Sequence, residues 1–337
     1  MMAKLTELKK IRELISKASS PLYLYDDDPD GLCSFLLLKR KFKKGEGLPV
    51  KTAPSLKADF IGNIQKHSYD IVVILDKPIV EQELIDRIKR PVVYLDHHPI
   101  QNLKGVYYYN PRLKNKKDNS PTTKICYDIV KQDEWIAGIG IIADWFIPSF
   151  INKLIKKYPD LIKKTRNPPE IMFNQRFGML IRMLGFILKG DNRWIKECMP
   201  MLEKAKNPYE ILNDKEGTIM ERFQEVEKAY EILLENALKE PADEKLLVIS
   251  YPSGKYSLTG ELANELFYRN PGKLVIVARE KDNEMRFSLR GNNALKILKK
   301  SMKKINGYGG GHENACGGAV AKEDFTKFLE KIRKSLK

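Results

Sequence analysis

The feature that most limits what this chain can fold into is a series of short apolar segments, each ending on acids. Pro21–Tyr25 leads into Asp26-Asp27-Asp28-Pro29-Asp30-Gly31, Asp70–Leu75 into Asp76, and Pro91–Leu95 into Asp96-His97-His98. These segments are short and rich in β-branched and aromatic residues, as strands are. Helical spacing fills the gaps, over Gly31–Phe42 and over Ile79–Arg90 with Ile79, Leu84 and Ile88 on one face. Ser120-Pro121 reads as a capping residue and a first-turn proline opening a further helix. Trp135–Ala143 is a fourth apolar run, closed by Asp144. Strands alternating with helices predict an α/β fold with a parallel sheet and helices on its faces. Ligands of such sheets bind beyond the carboxyl ends of the strands, where these acids lie.

The remainder divides by composition. Residues 148–240 are helical and basic, punctuated by Asn167-Pro168-Pro169, Gly190-Asp191 and Asn207-Pro208. Glu216–Lys239 reads as one long bridging helix with Met220, Phe223, Val226, Tyr230 and Leu233 on a face. Beyond Pro241, strands return at Leu246–Tyr251, Lys273–Ala278 and Met285–Leu289, with helices at Gly260–Tyr268, Ala294–Ile305 and Lys322–Leu336. The expected organisation is therefore a parallel-sheet domain over 1–147, a helical connecting segment over 148–240, and a smaller α/β domain over 241–337. A chain of 337 residues is long enough to bury two cores. Met1–Ser20 alternates charge and Leu/Ile at helical spacing, so it is an amphipathic helix and not a signal peptide. No run of apolar residues is long enough for a membrane span. A cytoplasmic location is expected, and the four dispersed cysteines, Cys33, Cys126, Cys198 and Cys316, are expected to be buried free thiols.

The formal net charge is +16. Such an excess attracts polyanions through counterion release. Enrichment of both signs, as in thermophilic proteins, would not leave so large an imbalance.

The acids ask for cations. On an extended backbone Asp26, Asp28 and Asp30 face one way and repel one another. Asp76 follows five apolar residues, where a charge needs a partner. Two of the chain's four histidines are adjacent at His97-His98. Oxygen and imidazole donors without thiolate suit Mn²⁺ or Mg²⁺, with Co²⁺ or zinc as alternatives.

Taken together these motifs resemble those of the DHH phosphoesterases, which include RecJ-type exonucleases, nanoRNases and cyclic-dinucleotide phosphodiesterases. Asp26–Gly31 is similar to the first motif, Asp76 to the second, Asp96-His97-His98 to the third and Asp144 to the fourth. Gly309-Gly310-Gly311-His312 and the preceding Arg286–Gly291 resemble the associated C-terminal substrate domain. The resemblance implies two divalent ions, Mn²⁺ first. One would be held by Asp26, Asp28 and Asp76, the other by Asp30, Asp76, His97 and Asp144, with Asp76 bridging. His98 would contact the scissile phosphate and Asp96 would orient a histidine, while Asp27 faces away.

Within the C-terminal domain the glycine loop and His312, opposite a strand offering Ser288 and Arg290, form the expected phosphate grip. Tyr308 is placed to stack on a base. The expected activity is a metal-dependent exonuclease on single-stranded DNA or RNA. The alternatives are a phosphodiesterase of small nucleotides and a scaffold in a replication or repair complex, with a replication or repair protein as partner. In size the chain is closer to nanoRNases and short archaeal RecJ-like proteins than to bacterial RecJ.

Overall fold

The apolar segments of the first half become strands of one parallel sheet. A computed structural model describes residues 2–52, 55–241 and 243–336, and its contacts divide the chain into two units, Met1–Phe223 and Gln224–Lys337. In the first unit the strands are β1 (Pro21–Asp26), β2 (Glu46–Val50), β3 (Ser55–Leu56), β4 (Ile71–Leu75), β5 (Ile79–Val80), β6 (Val92–Leu95) and β7 (Val106–Tyr109). The main sheet runs β2-β1-β4-β6-β7, parallel throughout; β3 and β5 pair separately. The central strands β1, β4 and β6 are those anticipated. The edge strands β2 and β7 are not. β2 contains Gly47 and Pro49, which an edge tolerates because one side of the backbone needs no ladder partner. β7 is half-exposed and so lacks a buried strand's pattern.

The sheet buries both faces. Leu22, Leu24, Val72, Ile74, Val92 and Tyr94 point to one, against Ile64, Leu84 and Ile85. On the other, Tyr25 stacks on Phe35 with ring centroids 4.9 Å apart. The helices of this unit begin with α1 (Met2–Lys17), α2 (Pro29–Phe42), the short α3 (Ile61–Ile64) and α4 (Gln82–Arg87), α5 (Thr122–Val130) and α6 (Glu134–Ala143). The helix expected over Ile79–Arg90 is thus only α4. Ile79 belongs instead to β5 and is 42% exposed, because Gln101 binds the Val80 N–H and holds the segment extended. α6 is buried nearly all round, which explains why its sequence shows no polar face.

Gly31 sits where β1 turns into α2. A Cβ there would meet Asp26 O at 2.5 Å and Asp26 N at 2.7 Å. These are backbone atoms and cannot rotate away. Gly31→Ala is therefore expected to cost about 2–3 kcal/mol in denaturant unfolding. Unchanged stability would contradict this packing.

The basic helical stretch joins the first unit up to Phe223 through α7 (Ile151–Lys157), α8 (Pro168–Asn174), α9 (Arg176–Ile187), α10 (Arg193–Lys204) and α11 (Pro208–Leu212). Arg40 of α2 ties α10 down. Its Nε and one terminal nitrogen bind both oxygens of Asp133 at 2.9 Å, and the other binds the Leu202 and Glu203 carbonyls. The long helix α12 (Thr218–Lys239) carries the division between the units.

The second unit contains β8 (Leu246–Tyr251), α13 (Thr259–Arg269), β9 (Leu274–Lys281), β10 (Glu284–Arg290), α14 (Ala294–Ser301), β11 (Gly307–Gly311), β12 (Ala315–Ala321) and α15 (Phe325–Leu336). Its sheet runs β11-β12-β10-β9-β8. Asp282 and Asn283, both left-handed, close the β9–β10 hairpin as a two-residue turn requires. Phe287, Leu289 and Ile276 pack on Leu298, Phe328 and Ile332. The glycines expected to form a flexible loop form an edge strand, paired Gly309↔Gly318 and Gly310↔Gly317. Polyglycine carries no β signal of its own; the neighbouring β12 supplies the ladder. Among the described residues no helix is long and apolar enough to cross a membrane, and all four cysteines are buried and free.

Candidate metal centre

The first motif is not an extended acidic edge but a strand–cap–helix transition. Asp26 ends β1. Asp28 caps α2, its Oδ1 accepting from Gly31 N at 2.9 Å, and Pro29 follows in the first turn. Asp30 lies within that first turn, where the helix dipole favours an anion, and is 2% exposed. The three acids therefore come from a strand end, a cap and a helix turn rather than from one extended edge, yet they stay close enough for Asp26 and Asp30 to raise the Asp28 carboxyl beyond what burial does.

Asp30 also serves a second helix. Pro121, at the cap position of α5, has no side chain to satisfy the helix's first N–H groups. Asp30 does so from α2, accepting from Thr122 N at 2.9 Å and Thr123 N at 2.7 Å. Thr122 turns its hydroxyl to Asp76 Oδ1 at 2.9 Å. Asp76 is 1% exposed and adopts a left-handed backbone with φ 61°, an uncommon conformation that aspartate tolerates better than most residues. Its N–H is held by Leu95 O at 3.0 Å, which locks the end of β4 to the end of β6.

β6 delivers the histidines. His97 is buried, with Nε2 3.4 Å from Asp76 Oδ1 and 4.0 Å from Asp30 Oδ2. Its Nδ1 lies 3.6 Å from Asp144 Oδ2, which the C-terminus of α6 supplies. His98 turns to Asp96, Nδ1 to Oδ1, at 2.8 Å. The other Asp96 oxygen accepts from His98 N at 3.0 Å and from Asn110 Nδ2 at 3.3 Å. With both oxygens accepting, Asp96 fixes the orientation of the His98 ring.

The electrostatics are those of a crowded anionic pocket. Burial raises the Asp76 carboxyl well above its ordinary range, and Asp30, Asp28, Asp26 and Asp144 add to the effect. Burial likewise pushes Asp96 up to about 7, against the pull of His97 and the backbone. Burial and the neighbouring His97 lower His98 to about 3, so its imidazole is neutral at physiological pH. Asp27 is pushed up to about 6 by burial and by Asp26.

Within this unit, donor atoms of Asp30, Asp76 and His97 lie within 4.8 Å of one another, as do those of Asp76, Asp96 and His98. Crowded, buried carboxylates beside imidazole nitrogens are a donor set that fits a hard or borderline divalent cation.

Several participants left no mark in the sequence pattern. Lys77 is wholly buried and lies 2.6 Å from Asp26. Asn110 holds Asp96 and the His98 carbonyl, and Arg112 Nε binds the His97 carbonyl at 2.7 Å. Thr122 announced itself only as part of a helix start. Lys77, Asn110 and Thr122 are ordinary residues that burial makes noteworthy.

In the second unit Arg286, Ser288 and Arg290 alternate with the buried Met285, Phe287 and Leu289 along β10. The register aligns Ser288↔Gly317↔Gly310 and Arg286↔Ala319↔Tyr308, so these residues share one sheet face. Tyr308 is exposed on it and glycines leave much of it flat. Arg290 is braced by Asn264 and the Cys316 carbonyl. His312 closes the β11–β12 turn, its N–H donating to Ala315 O at 2.8 Å.

Residues 244–337 match the family model of the DHHA1 domain. The chain as a whole has the fold of RecJ and of DHH-domain proteins. Over 98% of its length it superposes on Mn²⁺-bound RecJ of Thermus thermophilus, with a TM-score of 0.68 and 16% identity. It spans only 54% of that protein, about half its length. A manganese-bound exonuclease RecJ matches with a TM-score of 0.64 and 15% identity, covering 98% of this chain and 94% of that one. The DHH domain of a protein described as a member of a family of ribosomal proteins gives 0.70 at 16% identity, covering 99% and 91%. No curated protein sequence matches the chain. At these identities the likeness is one of fold, and the DHH architecture of a parallel-sheet domain followed by a DHHA1 domain accounts for both units.

Proposed function

We propose that this DHH-fold protein is a metal-dependent phosphodiesterase that hydrolyses single-stranded nucleic acid. The observation that carries the reading is the buried set Asp30, Asp76 and His97 at the carboxyl end of a parallel sheet, with anionic charge that a divalent ion would offset. A divalent ion bound there would lower the pKa of a coordinated water and stabilise charge developing at phosphorus. The chain's own residues do the rest. The Asn119 carbonyl lies 3.4 Å from His97 Nδ1, with Asp144 Oδ2 at 3.6 Å on the same side, which leaves Nε2 facing Asp30 and Asp76. Asp96 and Asn110 keep the neutral His98 oriented for a phosphate oxygen. The DHHA1 face with Tyr308, Ser288 and its glycine strip suits a backbone phosphate and an unstacked base, with Arg286 beside it paired to Glu284 and Asp282. The charge of +16 favours a polynucleotide over a small nucleotide.

The test is cleavage of end-labelled single-stranded DNA and RNA with Mn²⁺, against the same protein in excess chelator. Metal-dependent shortening of the strands is expected. Binding measured with chelator should fall steeply with salt, about 0.7 logarithmic unit per logarithmic unit of salt for each phosphate of a single strand neutralised. Turnover confined to dinucleotides would replace the polynucleotide reading with a small-nucleotide one, and metal-independent cleavage would end it.

A further inference from the structure

Lys77 follows Asp76 at the end of β4, has no solvent exposure, and reaches across the end of β1 to that of β2. Its Nζ lies 2.6 Å from Asp26 Oδ1 at the end of β1, 2.8 Å from Thr52 O and 3.4 Å from Val50 O beyond and at the end of β2. Three acceptors surround this nitrogen. That is the environment of an ammonium with three protons, since an amine lone pair would oppose an oxygen.

The lysine is held from its backbone as well. Tyr94 OH donates to the Lys77 carbonyl, and Gln101 donates to Tyr94 OH at 2.7 Å and to Pro78 O at 3.0 Å. Val80 N donates back to Gln101 Oε1 at 3.0 Å. With the left-handed Asp76 on its other side, the segment 76–80 has little freedom to swing Lys77 aside. Pulling the ammonium away would also strand a buried charge and three acceptors, which is costly.

A cation is therefore already seated against the first acid of the site. The carboxylate and imidazole sets that converge within 4.8 Å in this unit include Asp30, Asp76, His97, Asp96 and His98, but not Asp26 or Asp28. We propose that Lys77 is the resident cation of the Asp26 side of the pocket, and that the chain binds one divalent ion, at Asp30, Asp76 and His97, where two are implied by its motifs. A +1 charge in hydrogen-bond contact with Asp26 Oδ1 repels a divalent ion sharing that carboxylate. Lysine neutralises charge there without being able to activate water as a metal does. This inference rests on the metal-dependent reading and narrows it.

The measurement is Mn²⁺ stoichiometry of the full chain by calorimetry, with low-temperature electron paramagnetic resonance on the loaded protein. One ion per chain and an uncoupled six-line spectrum are expected. Lys77→Met, similar in length and uncharged, should take up a second ion and show a spin-coupled pair. Asp26→Asn, which keeps the shape of the side chain, should still bind one ion with affinity changed less than about threefold. Two ions per wild-type chain would overturn the inference while leaving the metal-dependent reading intact. A Lys77→Met protein that still binds one ion, or an Asp26→Asn protein that loses its ion, would also overturn it. No bound Mn²⁺ in the wild type would remove the metal-dependent reading, and this inference with it.

Discussion

Asp76→Asn is expected to lose at least about 10³-fold in cleavage rate while making the metal-free protein more stable. The loss follows because metal-based charge stabilisation contributes several kcal/mol and each 1.36 kcal/mol is tenfold in rate. Asp76 faces His97 Nε2 at 3.4 Å and is a member of both converging donor sets in its unit. The gain in stability comes from the same geometry. Asp76 is buried among carboxylates that raise its pKa, so its ionised form is penalised in the folded chain. A carboxyl whose folded pKa is raised imposes no penalty below its unfolded value, and the full penalty once pH exceeds the folded value. The advantage of asparagine should accordingly be small near pH 4 and grow as pH rises, against the usual destabilisation of about 1 kcal/mol for a point substitution. Thermal unfolding in chelator across that range checks it. An asparagine variant retaining a tenth of the wild-type rate would exclude Asp76 as an essential ligand, and a less stable one at high pH would mean that the anion is already satisfied.

Adding Mn²⁺ to the wild-type chain should raise its unfolding temperature, and by more at pH 8 than at pH 5. A ligand that binds only the folded state contributes about 2.7 kcal/mol at a hundredfold excess over Kd, which corresponds to several degrees. The pH dependence arises because protons and the ion compete for Asp76, whose affinity for protons is raised. All three tryptophans, Trp135, Trp145 and Trp194, lie in the first unit, so their fluorescence follows unfolding of the part that carries the pocket. An Mn²⁺ shift that is the same at pH 5 and pH 8 would mean that Asp76 does not bind the ion.

The central parallel strands and the acids that end them were legible as sequence because a strand buried on both faces leaves a nearly continuous apolar run, and a charge at its end stands out. The same logic located His97-His98. It failed where the local pattern and the tertiary role part company. β2 and β7 are edges and need no such run. Gly309–Gly311 looks like a loop and becomes a strand because β12 lies beside it. Asp26, Asp28 and Asp30 look like one extended acidic edge, yet Asp28 is spent on capping α2 and Asp30 on capping α5, a helix that begins about ninety residues further on.

What the sequence determined by itself is therefore the inventory: an α/β chain with a particular set of acids and two histidines at strand ends, and a surplus of positive charge. Periodicity and composition are local properties and survive without coordinates. What only the tertiary structure decided is which of those groups meet, and what stands between them. Lys77 is the clearest case. In sequence it is one of many lysines beside an aspartate. Its burial against Asp26, Thr52 and Val50 depends on the order of three strands in a sheet and on a tyrosine and a glutamine that hold its backbone. A buried charge is defined by its partners, and partners that come from different strands have no signature in the linear chain.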